Sequence, residues 1–297
     1  HKEYRRQRQM CIRDRFKDHA ARIAIVWDKT ASTLEQLRGD TPLETLVSVN
    51  MTKAMPRLQQ LALRIPFGKL REAREALTGQ ARNTVPWEAL ISTAIGGDGD
   101  DIAAPDSITP DSPALILYTS GTTGAPKGAV LTHTNLIANP VQGAAWVKEL
   151  QTENQRMLAT LPFFHAYGLA FSLTLPVLIG SELILLPSPQ MDLVMKALKN
   201  DNPTFVPGVP TLFERIVSTA KEQNVDLSKV QIGFSGASSL PAKVIEDWED
   251  LTGGYLVEGY GLTETTAPAT VNLADKSKIG TVGPALPGVG VRLADDG

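Results

Sequence analysis

Ten consecutive residues hold more hydrogen-bond donors than a surface loop has use for. The apolar run Leu115-Ile116-Leu117-Tyr118 leads straight into Thr119-Ser120-Gly121-Thr122-Thr123-Gly124-Ala125-Pro126-Lys127-Gly128. Four hydroxyls, three glycines and a lysine suit one task, cradling an anion such as phosphate. The glycines let backbone N–H groups turn toward the anion, the hydroxyls add donors, and Lys127 supplies a point charge. A loop of the form G-x-x-x-x-G-K-[ST] is excluded, because Gly121 and Gly124 stand too close together and Lys127 is followed by Gly128. This is a different kind of nucleotide loop.

Such a loop needs rigid elements on either side. From residue 113 onward strand and helix signals alternate, with strands near 114–118, 156–160, 182–186, 204–206, 230–234 and 255–258. Helices are expected near 133–147, 166–178, 190–199, 210–223 and 241–251. That alternation predicts an α/β fold of layered, mostly parallel sheets with flanking helices. Upstream, Ile23–Trp27 reads as a strand, while 57–64 and 69–77 have helical spacing; 96–101 and 105–113 are linker-like. The apolar stretch 169–186 is interrupted by Pro176, Gly180 and Glu182, so it reads as a buried helix and a strand and not as a membrane span.

Composition narrows the class. The chain has 297 residues, 42% hydrophobic and 21% charged, with 24 Gly and 20 Pro in no period and a net charge of −3. That excludes disorder, collagen and coiled coil, and it removes the electrostatic case for nucleic acid. One Cys and four His give neither an internal disulfide nor zinc-ligand spacing, which predicts a reducing, cytoplasmic setting. Residues 1–15 stand apart, with six Lys/Arg against two acidic residues, whereas the remainder carries 23 against 30. There is no apolar targeting core, and Met10-Cys11-Ile12-Arg13-Asp14-Arg15 resembles a translated sequencing-library adaptor. Residues 1–15 are therefore expected to be an adaptor-derived or disordered tail.

Tyr118 to Gly128 resembles the phosphate-loop signature of the adenylate-forming superfamily. Four further segments match that family in order and spacing. They are the aromatic/His motif Leu161-Pro162-Phe163-Phe164-His165-Ala166-Tyr167-Gly168, the nucleotide-edge strand 233–240, Glu258-Gly259-Tyr260-Gly261-Leu262-Thr263-Glu264-Thr265-Thr266, and the glycine-rich run 278–284. The resemblance implies that Thr119, Ser120, Gly121, Thr122, Thr123, Gly124 and Lys127 bind ATP phosphates. It implies further that Ser235, Gly236 and Ala237 line the adenine and acyl edges, and that Tyr260, between Gly259 and Gly261, offers a ring for adenine to stack upon. Thr263 places a hydroxyl near phosphate, Glu264 is the Mg²⁺ ligand, and His165 gates the passage between nucleotide and acyl pockets. Lys127, Glu264, Thr263 and His165 are the expected catalytic set.

The implied reaction joins a carboxylate to the α-phosphorus of Mg-ATP, releasing pyrophosphate; the thiol of coenzyme A then displaces AMP. Because three anionic partners must meet, the protein's work is positioning and charge stabilisation. The runs Val26-Trp27-Asp28-Lys29, 41–45 and 118–139 most resemble actinobacterial long-chain fatty-acid–CoA ligases, so a fatty acid and CoA are the expected partners, with peripheral membrane contact left open. The family pattern divides the chain into 16–104, an incomplete N-terminal part of the large domain, and 105–297, the AMP-binding core. It places the ribose-binding Asp, the hinge and the lid domain with its lysine beyond Gly297. The 297 residues alone are thus expected to show weak nucleotide binding, negligible ligase activity and exposed apolar surface. Competing readings are an adenylation domain of a peptide-synthetase assembly line, for which no ammonium-binding Asp is found near 205–210 or 235–238, and a non-catalytic nucleotide-binding relic.

Overall fold

A computed structural model describes residues 2–95, 107–119, 126–152, 154–186 and 188–295. The chain divides into one unit of residues 1–108 and 118–128 and a second of 109–117 and 129–297.

In the first unit the elements run α1 (Lys2–His19), β1 (Ile23–Trp27), α2 (Asp28–Glu35), β2 (Thr45–Val49), α3 (Arg57–Ala62), α4 (Gly68–Leu77), β3 (Val85–Pro86) and α5 (Trp87–Ile95). The three strands are parallel in the order β1-β2-β3. Their core is small, formed by Ala24, Leu34, Leu43 and Leu46 with Phe16 and Val26 packed against it. A polar clamp adds to it. Trp27 Nε1 donates to the Leu77 carbonyl at 2.9 Å and Lys29 Nζ to the Ala76 carbonyl at 2.9 Å, while Asp28 Oδ1 accepts the Gly79 N–H at 3.0 Å. The first two bonds satisfy carbonyls that the last turn of α4 leaves without helical partners. A Cβ on residue 79 would lie 2.4 Å from Lys29 Cα, so only glycine allows the approach.

β4 (Pro113–Thr119) and β5 (Lys127–Thr132) pair in a two-stranded sheet. The second unit continues with α6 (His133–Trp146), β6 (Arg156–Ala159), α7 (Ala166–Leu169), a π-helical turn at Ala170–Thr174, and α8 (Leu175–Ile179). After β7 (Glu182–Leu185) come α9 (Met191–Asn200), β8 (Phe205–Gly208), α10 (Pro210–Gln223), β9 (Ile232–Ser235), α11 (Ala242–Thr252), β10 (Tyr255–Leu262) and β11 (Ala267–Val271). Thr132 and Asn135 start α6 with a reciprocal capping box.

Six strands form one sheet in the order β11-β10-β9-β8-β6-β7, parallel throughout except for β11. Successive residues of each central strand enter opposite cores. Leu158, Val206 and Leu256 join Phe213 and Trp248 under α9, α10 and α11, whereas Met157, Phe205, Phe234 and Val257 join Phe171 and Leu175 under the helices on the other face. Coverage on both faces is why these strands read as apolar runs without alternation. The α/β, mostly parallel reading of the sequence holds. Among the described residues no helix is long and apolar enough to cross a membrane.

The topology fixes where a ligand can go. From β6 the chain steps outward to β7 and then returns to the other side of β6 to lay down β8, β9 and β10. Sheets of this kind bind ligands outside the carboxyl ends of their strands, at that reversal. The point lies between β6 and β8.

Candidate functional site at the strand ends

The aromatic/His motif leaves β6 at the reversal point. His165 is the N-cap of α7, its Nδ1 accepting the Tyr167 N–H at 3.2 Å. A nitrogen that accepts is unprotonated, so in the neutral ring Nε2 carries the hydrogen. The His165 side chain is exposed, whereas Tyr167 is buried and reaches across the sheet. Its hydroxyl donates to the Phe234 carbonyl at 2.6 Å and accepts the Gly208 N–H at 3.2 Å, joining the ends of β8 and β9. Thr160 donates to the Pro207 carbonyl, and Gly236 N–H bonds the Gly208 carbonyl at 3.2 Å. Burial pushes the Tyr167 phenol upward, so it keeps the proton it donates.

Gly208, Ser235 and Glu258 lie side by side in one row across β8, β9 and β10. The Ser235 hydroxyl is buried and has no hydrogen-bond partner. Glu258, 8% exposed, accepts the Leu240 N–H at 3.3 Å, which ties the loop after Ser235 to β10. Beyond Tyr260 a bulge shifts the β10–β11 register, and a Cβ on Gly261 would lie 1.8 Å from the Ala267 carbonyl. A 3-10 turn at Thr263–Thr265 follows. It is held by Thr265, whose hydroxyl accepts the Leu262 N–H at 2.8 Å. Thr263 is half-buried, Glu264 is exposed, and neither side chain has a partner among the described residues. The ring of Tyr260 is 50% exposed. Asn272, at the end of β11, takes the Lys278 N–H at 3.2 Å and bonds the Thr281 carbonyl, fixing the glycine-rich run.

Strain gathers at the same strand ends. Four described residues other than Gly and Asn have positive φ, and three of them are Ala237 (73°), Thr266 (64°) and Ala267 (117°). Such backbone costs on the order of 1–3 kcal/mol per residue and concentrates at functional sites.

Ser235, Gly236, Ala237, Gly259, Tyr260, Gly261, Thr263 and Glu264 are therefore carried on the carboxyl ends of neighbouring strands of one sheet, with His165 leading into the helix that Tyr167 pins there. In the first unit, Thr119 Oγ1 lies 3.4 Å from the Lys127 carbonyl, and Lys127 is exposed with no acidic partner among the described residues. Tyr118, just before the loop, donates to Asp18 of α1 and lies under the Arg15 guanidinium; burial and Asp18 push its phenol up to about 12. Ser120, Gly121, Thr122, Thr123 and Gly124 lie outside the described residues.

The unpartnered Ser235 hydroxyl, the half-open Tyr260 ring and the free Thr263 hydroxyl fit a polar ligand with an aromatic face, while the free Glu264 carboxylate suits a cation. For Mg²⁺ the fit is to a single carboxylate, Glu264, as expected of a metal that takes its remaining ligands from phosphate and water. Among the described residues no cluster of three or more His, Cys, Asp or Glu offers a dedicated metal cage.

Tyr167 and Glu258, which tie the strand ends of the candidate site together, are residues that sequence reasoning did not single out. The only signal for Glu258 was a carboxylate inside a strand. Burial raises its carboxyl above the ordinary carboxylate range, against the opposing pull of the Leu240 N–H. A raised folded-state pKa gives stability that is present below the unfolded value and lost as pH rises through the folded one. Glu258→Gln, which keeps an acceptor for Leu240, is expected to raise the urea unfolding midpoint near pH 7 and to leave it unchanged near pH 3, where both side chains are neutral. A lower midpoint near pH 7 would show that the charge is stabilising.

The chain resembles several ligases. It is 39% identical over 171 residues to a long-chain-fatty-acid–CoA ligase of Bacillus subtilis, covering 57% of this chain and 30% of that protein. It is 34% identical over 204 residues to a malonate–CoA ligase of Arabidopsis thaliana, covering 63% of this chain and 33% of the relative. In fold it matches the crystal structure of the anthranilate CoA ligase AuaEII in complex with anthranoyl-AMP, with a TM-score of 0.69 at 21% identity, over 94% of this chain and 48% of that one. The chain thus spans about a third of the length of the curated relatives it matches. Residues 4–297 match the profile described as AMP-binding enzyme, nearly the whole chain and every motif described above; the chain belongs to the AMP-binding enzyme family.

Proposed function

We propose that this chain supplies the nucleotide-binding core of an enzyme that activates a long-chain fatty acid with ATP and transfers the acyl group to coenzyme A. The observation that carries the reading is the set of unspent polar groups, Ser235, Tyr260, Thr263 and Glu264, beside strained backbone at the carboxyl ends of β9 and β10. Similarity to the Bacillus subtilis ligase supports the acid and the thiol.

In this reading the loop 119–128 and Lys127 hold the phosphates, and Tyr260 stacks on adenine beside Ser235, Gly236 and Ala237. Glu264 takes the Mg²⁺ ion, which when bound offsets phosphate charge. A fatty-acid carboxylate oxygen bonds the α-phosphorus as the bond to pyrophosphate breaks. The CoA sulfur then attacks the acyl carbon, AMP leaves, and the thiol proton passes to solvent. His165, exposed at the start of α7, separates the acyl path from the nucleotide, and Thr263 positions a phosphate oxygen. A cytoplasmic setting and the division at residues 15 and 104 belong to the same proposal.

Pyrophosphate exchange into ATP by the intact gene product, with acids ranging from malonate and anthranilate to palmitate, tests the proposal. Exchange should depend on palmitate, and Glu264→Gln or Lys127→Ala should lower it by about 100-fold, the size of one lost charge-stabilising group. Exchange driven by malonate and not by palmitate would move the substrate to the class of the plant relative. No exchange with any acid would leave a nucleotide-binding relic.

A further inference from the structure

The surface between β2 and the end of α4 has no place in the chemistry above. From Met51 to Arg71, five of 21 residues are Lys or Arg and none is Asp or Glu, in a chain of net charge −3. The same stretch exposes large apolar side chains: Leu58 is 81% exposed, Phe67 72%, Leu61 54% and Met51 48%. Leu58, Leu61 and Ile65 recur on one side of α3, whose turns continue through the bonds of Arg64 N–H to Leu61 and of Ile65 N–H to Ala62.

The inner side of this stretch is fixed. Leu63 is buried, Gln60 Nε2 donates to the carbonyls of Lys53 at 3.2 Å and Met55 at 2.8 Å, and the C-terminus of α4 is held by the Trp27–Lys29 clamp. The outer side is left apolar and basic. Lys53, Arg57, Arg64 and Lys69 are exposed and have no acidic partner among the described residues; only Arg71 is paired, to Glu75 at 2.8 Å.

We propose that residues 51–71 form a docking surface for an anionic lipid bilayer. Large apolar side chains among unpaired cations match a bilayer surface layer by layer, since headgroup phosphates meet the Lys and Arg heads while Leu58, Leu61 and Phe67 enter the acyl boundary. A second copy of this chain is a poor occupant, because two such faces would bring like charges together without compensation. The inference is independent of the proposed function, as it uses none of the site residues.

The test is co-sedimentation of the 297-residue chain with phosphatidylcholine vesicles, with and without about 30 mol % phosphatidylglycerol, against a blank lacking vesicles. The chain should partition onto the anionic vesicles at least about 100-fold more strongly than onto the neutral ones, and less as salt is added. Neutralising three exposed charges with Arg57→Gln, Arg64→Gln and Lys69→Gln should lower that partition by about 100-fold, each basic residue near the surface contributing about fivefold. The pair Leu58→Ser and Phe67→Ser should remove binding even at low salt, with unchanged far-ultraviolet circular dichroism in both variants. Equal partition onto both vesicle types, absence from both, or wild-type binding by either variant overturns the proposal. So does a concentration-dependent dimer that Leu58→Ser and Phe67→Ser dissociate while vesicles stay bare.

Discussion

Phe234→Ala is expected to cost the second unit about 4 kcal/mol, the middle of the range for truncating a buried aromatic side chain. Phe234 is 2% exposed on β9, near the middle of the six-stranded sheet. Its ring stacks on Phe171 at 4.4 Å and lies 5.8 Å from Tyr167 and 6.5 Å from Phe205. The substitution opens a void bounded by strands on one side and the π-helical turn on the other, and neither can close over it without breaking ladder or helix bonds. Each aromatic pair adds about 0.5–1.5 kcal/mol beyond burial, which is why Phe234→Leu should recover only part of the loss. Urea unfolding followed through Trp146 and Trp248 measures both. A loss below about 1 kcal/mol would mean that the site can collapse, contrary to the close packing of such cores.

Most strands after residue 113 were legible as short apolar runs and the helices by their spacing, but β5 and β11 were not among the expected strands. The ends of the elements were less legible. The sequence suggests a strand at 204–206, since Pro207-Gly208 has the composition of a turn, yet β8 runs Phe205–Gly208. A proline is admissible there because β6 pairs with β8 only at Met157 and Phe205, so the N–H that Pro207 lacks has no ladder partner to miss. Similarly, β10 continues to Leu262 through two glycines, because β11 pairs alongside it with a bulge. No local pattern announces that pairing. The expected helix at 166–178 is there, but it is interrupted by the π-helical turn Ala170–Thr174, where Thr174 Oγ1 bonds the carbonyls of Leu169 and Ala170.

The first unit was the harder half to read. Its clamp joins residues about fifty positions apart, Trp27 to Leu77 and Asp28 to Gly79, and sequence spacing carries no trace of it. Helix α1 runs through the change in composition at residue 15 without a break. At the candidate site the residues proposed to meet the ligand stand in motifs that the sequence shows. The groups that hold those residues in place did not stand out. Glu258 looks like an ordinary strand residue, and the aromatic/His motif drew attention to His165 when the buried partner is Tyr167.

Tyr167→Phe is the corresponding test, with an expected loss of about 2–4 kcal/mol from deleting one oxygen. The ring stays, so packing against Phe171 and Phe234 is preserved and only hydrogen bonds change. The Gly208 N–H loses the acceptor that Tyr167 provides at 3.2 Å, and the Phe234 carbonyl loses its 2.6 Å donor. Both are buried where water cannot replace the hydroxyl, and a buried group left unpaired costs about 1–3 kcal/mol. Because the two groups belong to β8 and β9, the loss is also positional: the ends that carry Gly208 and Ser235 are no longer tied to each other or to the segment that leaves β6. Adenosine nucleotide binding by the intact gene product should therefore weaken together with the unfolding free energy, whereas His165→Ala, which removes an exposed cap, should leave that free energy within about 1 kcal/mol of wild type. A Tyr167→Phe protein as stable as wild type would show that the strand ends are held by the ladder alone.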